Sequence, residues 1–237
     1  MARSSLIQQR LKKHSDPQKA IIHRNFFKNC KTDIFLGIPA PIIRIIAKEF
    51  WDIPLKEVRT LMHSKVRDER SLAHAILRLK FEDGNEKEQG KIYQFYLKNR
   101  KAIRDWDGVD DSAPYIVGKY LLRRDKKILY TLVKSNHIWD RRIAIVSTWW
   151  FIRKNKLQDT LKLAGLLLKD EEDLIHKATG WMLREVGKRD IKALKTFLKT
   201  HHPVMPRTTL RYAIERFAEK ERKKYLRSVK KPKHRIA

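Results

Sequence analysis

The sequence predicts an all-α protein, a curved solenoid of antiparallel helical repeats with a basic concave face. Three observations predict it. Only eight glycines and eight prolines interrupt the 237 residues. Segments of apolar period near 3.6 fill almost the whole length. Similar helix beginnings recur at a spacing in the mid-thirties.

The helices are delimited by short breaks. In chain order these are Asp16-Pro17, Gly37-Ile38-Pro39, Ile53-Pro54, Asp83-Gly84-Asn85, Arg124-Asp125, Asn136-His137, Gly187-Lys188, His202-Pro203 and Met205-Pro206. Each carries the proline, glycine or capping residue that ends or starts a helix. No run alternates apolar and polar residues strictly enough to read as a strand. Residues 1–225 read as one repeat domain and 226–237 as a basic, flexible tail; from Ala218 onward the chain carries nine Lys/Arg and two Glu.

The repeat shows at helix beginnings. Arg67-Asp-Glu-Arg-Ser-Leu-Ala73 resembles Trp139-Asp-Arg-Arg-Ile-Ala-Ile145, 72 residues on. Asp105-Trp-Asp-Gly-Val-Asp110 falls near the middle of that gap, and His176-Lys-Ala-Thr-Gly-Trp181 and Arg207-Thr-Thr-Leu-Arg-Tyr-Ala213 follow. A helix-pair period of this length is that of HEAT, armadillo or tetratricopeptide stacks, whose second helices line one face. Chance similarity between helices is the plainer alternative.

Lys and Arg total 55 against 27 acids, a formal charge of +28. Such an imbalance repels itself unless a polyanion relieves it, and nucleic acid does so by releasing condensed counterions. An anionic membrane competes less well, because no stretch approaches the ~20 apolar residues of a spanning helix. The longest apolar run, Ala144 to Ile152, still contains Ser147 and Thr148. Cys30 is the only cysteine, so no internal disulfide and no paired-cysteine zinc motif can form. That and the absence of an N-terminal apolar stretch argue for the cytoplasm. His201-His202 precedes Pro203 in a turn, and no histidine pair stands at i, i+4 beside an acid, so no metal site is expected.

Three segments hold the candidate chemistry. On the helix that begins near Ile138, Arg142 falls within the apolar arc of Ile143, Ile145, Val146, Trp149, Trp150 and Ile152. It either pairs with a buried carboxylate or emerges onto a surface that binds phosphate, which its planar fork suits. The helix from about Asp173 to Val186 sets Leu174, Ala178, Trp181 and Met182 on one side. Gly180 there leaves room for a close approach, although a helical tryptophan is more often core. The third segment, Asp105 to Pro114, is an acidic interruption in a basic chain. It reads as a loop running into a helix capped by Asp111 or Ser112, with Pro114 in the first turn. Capping accounts for one of its four acids and leaves three, although exposed acids flanking a cap are common; an acid facing a phosphate-binding cleft is repelled by its ligand and so calls for a chemical purpose.

Together these segments resemble the AlkD-like DNA alkylation repair family of HEAT-like proteins. The likeness rests on the order and spacing of Trp106-Asp-Gly-Val-Asp110, Ile138-Trp-Asp-Arg-Arg142-Ile-Ala and Lys177-Ala-Thr-Gly-Trp181-Met-Leu-Arg-Glu185. An early Phe35-Leu-Gly-Ile-Pro39 leads into a helix, and the whole extends from about Lys19 to Phe217. The resemblance implies a catalytic Asp110, with Trp106 and Trp181 packed around the lesion's sugar and Arg142 on the DNA backbone. Arg141, Lys177, Arg184, Arg207 and Arg211 are further expected DNA contacts. The Gly108-Val109 spacer departs from the family pattern and leaves the local geometry open.

The implied activity is excision of N3- or N7-alkylated purines from duplex DNA by a monomeric hydrolase that uses no metal and no cofactor. An alkylated purine is already cationic and leaves without an acid. One carboxylate can then stabilise the oxocarbenium-like sugar, and indole faces add cation–π attraction. The resemblance also implies capture of the lesion without a base-reading pocket. Two other readings compete: a non-catalytic helical scaffold for nucleic acid, which has no need of Asp110, and a solenoid whose basic groove receives acidic peptides.

Overall fold

Most helices in this chain begin where a short polar side chain or a proline offers itself to the first turn. In the structure, a computed structural model that describes residues 3–27 and 32–228, the described residues contain sixteen α-helices and no strand. A single isolated parallel bridge links Ile34 to Val66. Two compact units are formed, Met1–Arg124 and Asp125–Ala237. The first holds α1 (Arg3–Lys13), α2 (Pro17–Phe26), α3 (Ala40–Glu49), α4 (Leu55–Met62), α5 (Arg67–Asp83), α6 (Glu86–Asn99), α7 (Trp106–Ala113) and α8 (Lys119–Leu121). The second holds α9 (Lys127–Leu132), α10 (Ile138–Ser147), α11 (Trp149–Arg153), α12 (Gln158–Leu166), α13 (Asp173–Arg189), α14 (Ile191–His201), α15 (Arg207–Ala213) and α16 (Glu219–Ser228). Cys30 and the tail from residue 229 lie outside the described residues; the tail's first three residues, 226–228, close α16.

Most of the expected breaks fall between helices. Asp16 caps α2 by accepting the Lys19 N–H at 3.0 Å, with Pro17 in the first turn. Asn85 and Glu88 close a reciprocal capping box on α6. Gly37 adopts φ +77°, and a Cβ there would lie 2.2 Å from the Asp16 carbonyl oxygen. Only glycine fits both demands. One break is misplaced: α13 runs through Gly187-Lys188 to Arg189. Gly187 is there because a Cβ would lie 2.4 Å from Leu194 Cδ2, so it admits α14 rather than ending α13. The apolar run from Ala144 is also two helices, parted where the Ser147 and Thr148 hydroxyls donate to the Ile143 and Ile145 carbonyls, each at 2.6 Å.

The principal helices α5, α7, α10, α13 and α15 start at Arg67, Trp106, Ile138, Asp173 and Arg207, successive steps of 39, 32, 35 and 34 residues. Three of them are entered by one device. Ser64 Oγ, Ser135 Oγ and Asp170 Oδ1 accept the N–H groups of Val66, His137 and Glu172, the residues just before each helix, at 3.0, 3.1 and 3.0 Å. The fourth helical residue then donates back to the carbonyl of that same Ser, Ser or Asp. These donors are Arg70, Arg141 and His176, at 2.9, 2.9 and 2.5 Å. The device equates Arg70 with Arg141, 71 residues apart, and corrects the 72-residue alignment that had paired Arg70 with Arg142. Side-chain similarity had slipped by one because capping, not the apolar pattern, sets the register.

Each unit has its own core. Leu72, Ile76, Phe81, Tyr96 and Ile116 are fully buried in the first; Ile145, Phe151, Met182, Leu198 and Leu210 in the second. Gly180 sits in the second. A Cβ there would lie 2.5 Å from Tyr212 Cβ and 2.6 Å from the Thr209 carbonyl oxygen. What approaches closely at Gly180 is therefore helix α15. In an ordinary helix Gly→Ala is stabilising by ~1 kcal/mol; here Gly180→Ala is expected to destabilise by about 1–3 kcal/mol through overpacking. Thermal denaturation decides it, and a raised midpoint would show that the two helices are not in backbone contact.

Candidate active site and nucleic-acid interface

Helix α7 starts at Trp106 because Asp105, extended at φ −145°, turns its carboxylate onto the Gly108 N–H at 3.1 Å. The cap is thus Asp105, not Asp111 or Ser112, and Trp106 to Asp110 are helical rather than loop. Ser112 instead donates back to the Gly108 carbonyl at 2.5 Å. Pro114 follows the last α-helical residue. Lacking an N–H, it cannot continue the ladder, and the helix widens into a π-helical turn over Pro114–Gly118 before α8.

Asp105 does a second task. Its other carboxylate oxygen receives Arg70 Nη2 at 3.0 Å, and the same nitrogen meets Asp33 at 2.5 Å. All three side chains are buried. Burial depresses the Arg70 guanidinium, but the two carboxylates outweigh it and raise its affinity for the proton. Asp68, also buried, accepts the Leu36 and Ile38 N–H groups at 2.8 and 3.1 Å and so fixes the Phe35–Pro39 segment that leads into α3.

Asp110 is half-buried and lines a pocket of about 300 Å³ between α3, α5 and α7. Its other walls carry Arg44, Arg67, Ser71, His74, Arg78, Asp111 and Tyr115, among others. Arg67 forms an ion pair with Asp107 and covers the Phe27 ring at 4.6 Å. Arg78 lies 3.4 Å over the Tyr115 ring and 3.7 Å from Asp111. His74 is fully enclosed; burial pushes it below the ordinary histidine range, against the pull of Asp105 and Asp111. Among the described residues its Nδ1 has no hydrogen-bond partner. A Cβ on Gly108 would lie 3.0 Å from His74 Nε2 and 2.9 Å from Asp105 Oδ1, which gives the glycine of Trp-Asp-Gly-Val-Asp a packing reason. Sequence reading missed Arg67, Ser71, His74 and Arg78. Their spacing of i, i+4, i+7 and i+11 along α5 was the available signal, a polar stripe on one face.

Trp106 is half-buried against the Phe27–Phe35 cluster. Its indole stacks on Phe27 at 5.3 Å, nearly parallel, and its Nε1–H donates to the Phe26 carbonyl at 3.3 Å. It is not among the residues that line the Asp110 pocket.

In the second unit Arg142 is buried and donates to the Leu174 carbonyl at 2.5 Å. Arg141 holds Asp170 through two nitrogens at 2.6 and 3.2 Å, so it is a scaffold arginine like Arg70. Trp181 is half-buried on α13. Lys177 pairs with Asp173 at 2.8 Å, a hydrogen bond that raises its proton affinity. Arg184 is paired with Glu215, and Arg207 donates to the Leu226 carbonyl at 3.2 Å. Arg211 is exposed and shares with Lys177 a second pocket of about 370 Å³.

A common position links several of these residues. Asp110 is the fifth residue of α7; the fifth residues of α10, α13 and α15 are Arg142, Lys177 and Arg211. A carboxylate stands where three other helices carry a cation.

Among the described residues no group of three or more His, Cys, Asp or Glu is arranged to hold a metal ion, and no helix is long and apolar enough to cross a membrane. A family model described as DNA alkylation repair enzyme matches residues 7–217. No curated protein matches the chain. A solved structure described as a predicted DNA alkylation repair enzyme from Enterococcus faecalis has the same fold, with a TM-score of 0.68 at 19% identity; the match covers 87% of this chain and 98% of that one.

Proposed function

The chain belongs to the DNA alkylation repair enzyme family, and from that premise we propose that it is a DNA glycosylase that removes cationic N3- or N7-alkylpurines from duplex DNA, acting as a monomer in the cytoplasm. The observation that carries the reading is Asp110, a half-buried carboxylate at a helix position that elsewhere bears Arg142, Lys177 and Arg211. The 32- to 39-residue steps between principal helices support HEAT-like repeats as the scaffold.

In this reading the C1′–N bond breaks and its electron pair leaves with the purine, cancelling the positive charge of the alkylated ring. Asp110 stabilises the cation that develops on deoxyribose and orients the water that adds at C1′; the water's proton passes to the carboxylate or to solvent. Trp181 and the solvent-facing edge of Trp106 supply apolar contact to the sugar. Lys177, Arg207, Arg211 and the Arg142 guanidinium supply the phosphate contacts, with Arg184 flanking them. Arg141 serves by holding the α10 entry.

The experiment is release of free methylated purine, read by mass spectrometry, from methylated duplex DNA incubated with the purified protein and no added metal. Release at rates well above the spontaneous one is expected. Tight binding without release would instead support a non-catalytic scaffold.

A further inference from the structure

Helix α16 lies beyond the residues matched by the family model, yet it is docked onto the second unit. Its inward face carries Glu221, Tyr225 and Leu226. Lys195 Nζ meets Glu221 at 2.8 Å, Tyr225 meets the rings of His202 and Phe217 edge-on, and the Leu226 carbonyl receives Arg207. Arg222 and Leu226 form one wall of the pocket that also holds Lys177 and Arg211. The opposite face carries Lys220, Lys223, Lys224 and Arg227, all exposed and grouped around one open recess. Their spacing of i, i+3, i+4 and i+7 makes a single stripe of four cations. Within the helix, Lys223 lies 3.6 Å from Glu219.

Like charges three and four apart oppose helix formation, so this stripe is a standing cost that an anionic partner relieves. A membrane-surface helix would keep an apolar face available for insertion. Here Tyr225 and Leu226 are turned inward against the protein, and only charge faces out. We infer that α16 is an additional phosphodiester-backbone clamp, engaging duplex DNA next to the Lys177–Arg211 pocket. This rests on the nucleic-acid reading above but not on the chemistry assigned to Asp110.

The test compares the full chain with the K220Q/K223Q/K224Q/R227Q variant on undamaged duplex DNA across a range of salt concentrations. The slope of log affinity against log salt is expected to shrink by about 2 to 3, as two or three phosphate contacts are lost, and affinity at moderate salt to fall at least tenfold. The K220R/K223R/K224R variant should keep the original slope. If the four-fold variant melts early, Lys223→Gln with Lys224→Gln serves in its place, at half the change. An unchanged slope overturns the proposal. So does four-cation-dependent binding to phosphatidylserine vesicles with DNA affinity unaltered. Failure of wild type to release base would strike the glycosylase reading alone and leave the slope comparison intact.

Discussion

Asp110→Asn is expected to lower methylated-purine release by roughly 100- to 1000-fold, the effect of removing one electrostatic stabiliser of a transition state, while duplex affinity holds or rises. The amide keeps the size of the side chain and its half-buried place on α7, so the change isolates the charge. Affinity should not suffer because a carboxylate among Arg44, Arg67 and Arg78 repels phosphate rather than attracting it. Single-turnover release with enzyme in excess separates the two effects. Undiminished release would remove Asp110 from the chemistry, and a parallel fall in affinity and rate would recast it as a structural acid.

Arg70→Leu should destabilise the protein by about 3–5 kcal/mol, the cost of deleting one partner from a buried ionic cluster. Asp33 and Asp105 would be left facing each other with no cation between them, and the Ser64 carbonyl would lose its donor. Because Asp105 also caps α7, the damage should spread to the start of the helix that carries Asp110. Urea denaturation gives the magnitude. Asp105→Asn, which retains an acceptor for the Gly108 N–H, should cost less than Arg70→Leu. A loss below about 1 kcal/mol for Arg70→Leu would place the cluster among weak, solvent-screened ion pairs.

The helical character and nearly every break were legible because proline, glycine and capping residues act locally, and local chemistry is written in adjacent letters. Asp16-Pro17 and Asp83-Gly84-Asn85 are of this kind. The start of α7 was not. Asp105, Asp111 and Ser112 are all competent caps, and the choice falls to Asp105 because Arg70, 35 positions away, holds its second oxygen. The close approach at Gly180 was legible but its partner was not, for a similar reason: a glycine announces a close approach without naming what approaches, here Thr209 and Tyr212 of α15. Asp110, Arg142, Lys177 and Trp181 were singled out by motif order. The neighbours of Asp110 on α5 were not, since Arg67, Ser71, His74 and Arg78 look like an ordinary solvated face until α7 packs against them. Arg141 and Arg142 could not be told apart by composition; their hydrogen bonds do so, Arg141 donating to Asp170 and the Ser135 carbonyl and Arg142 to the Leu174 carbonyl.

The crossing at Gly180 bears on how an anion would be met. Lys177 stands one turn before that glycine, and Arg211 stands between Thr209 and Tyr212, the two residues that press against it. The separation of these cations is therefore set by main chain resting on main chain, not by adjustable side-chain packing. A polyanion arriving there finds its counter-charges already at a fixed gauge, and the entropy still to be lost is confined to a few lysine and arginine rotamers.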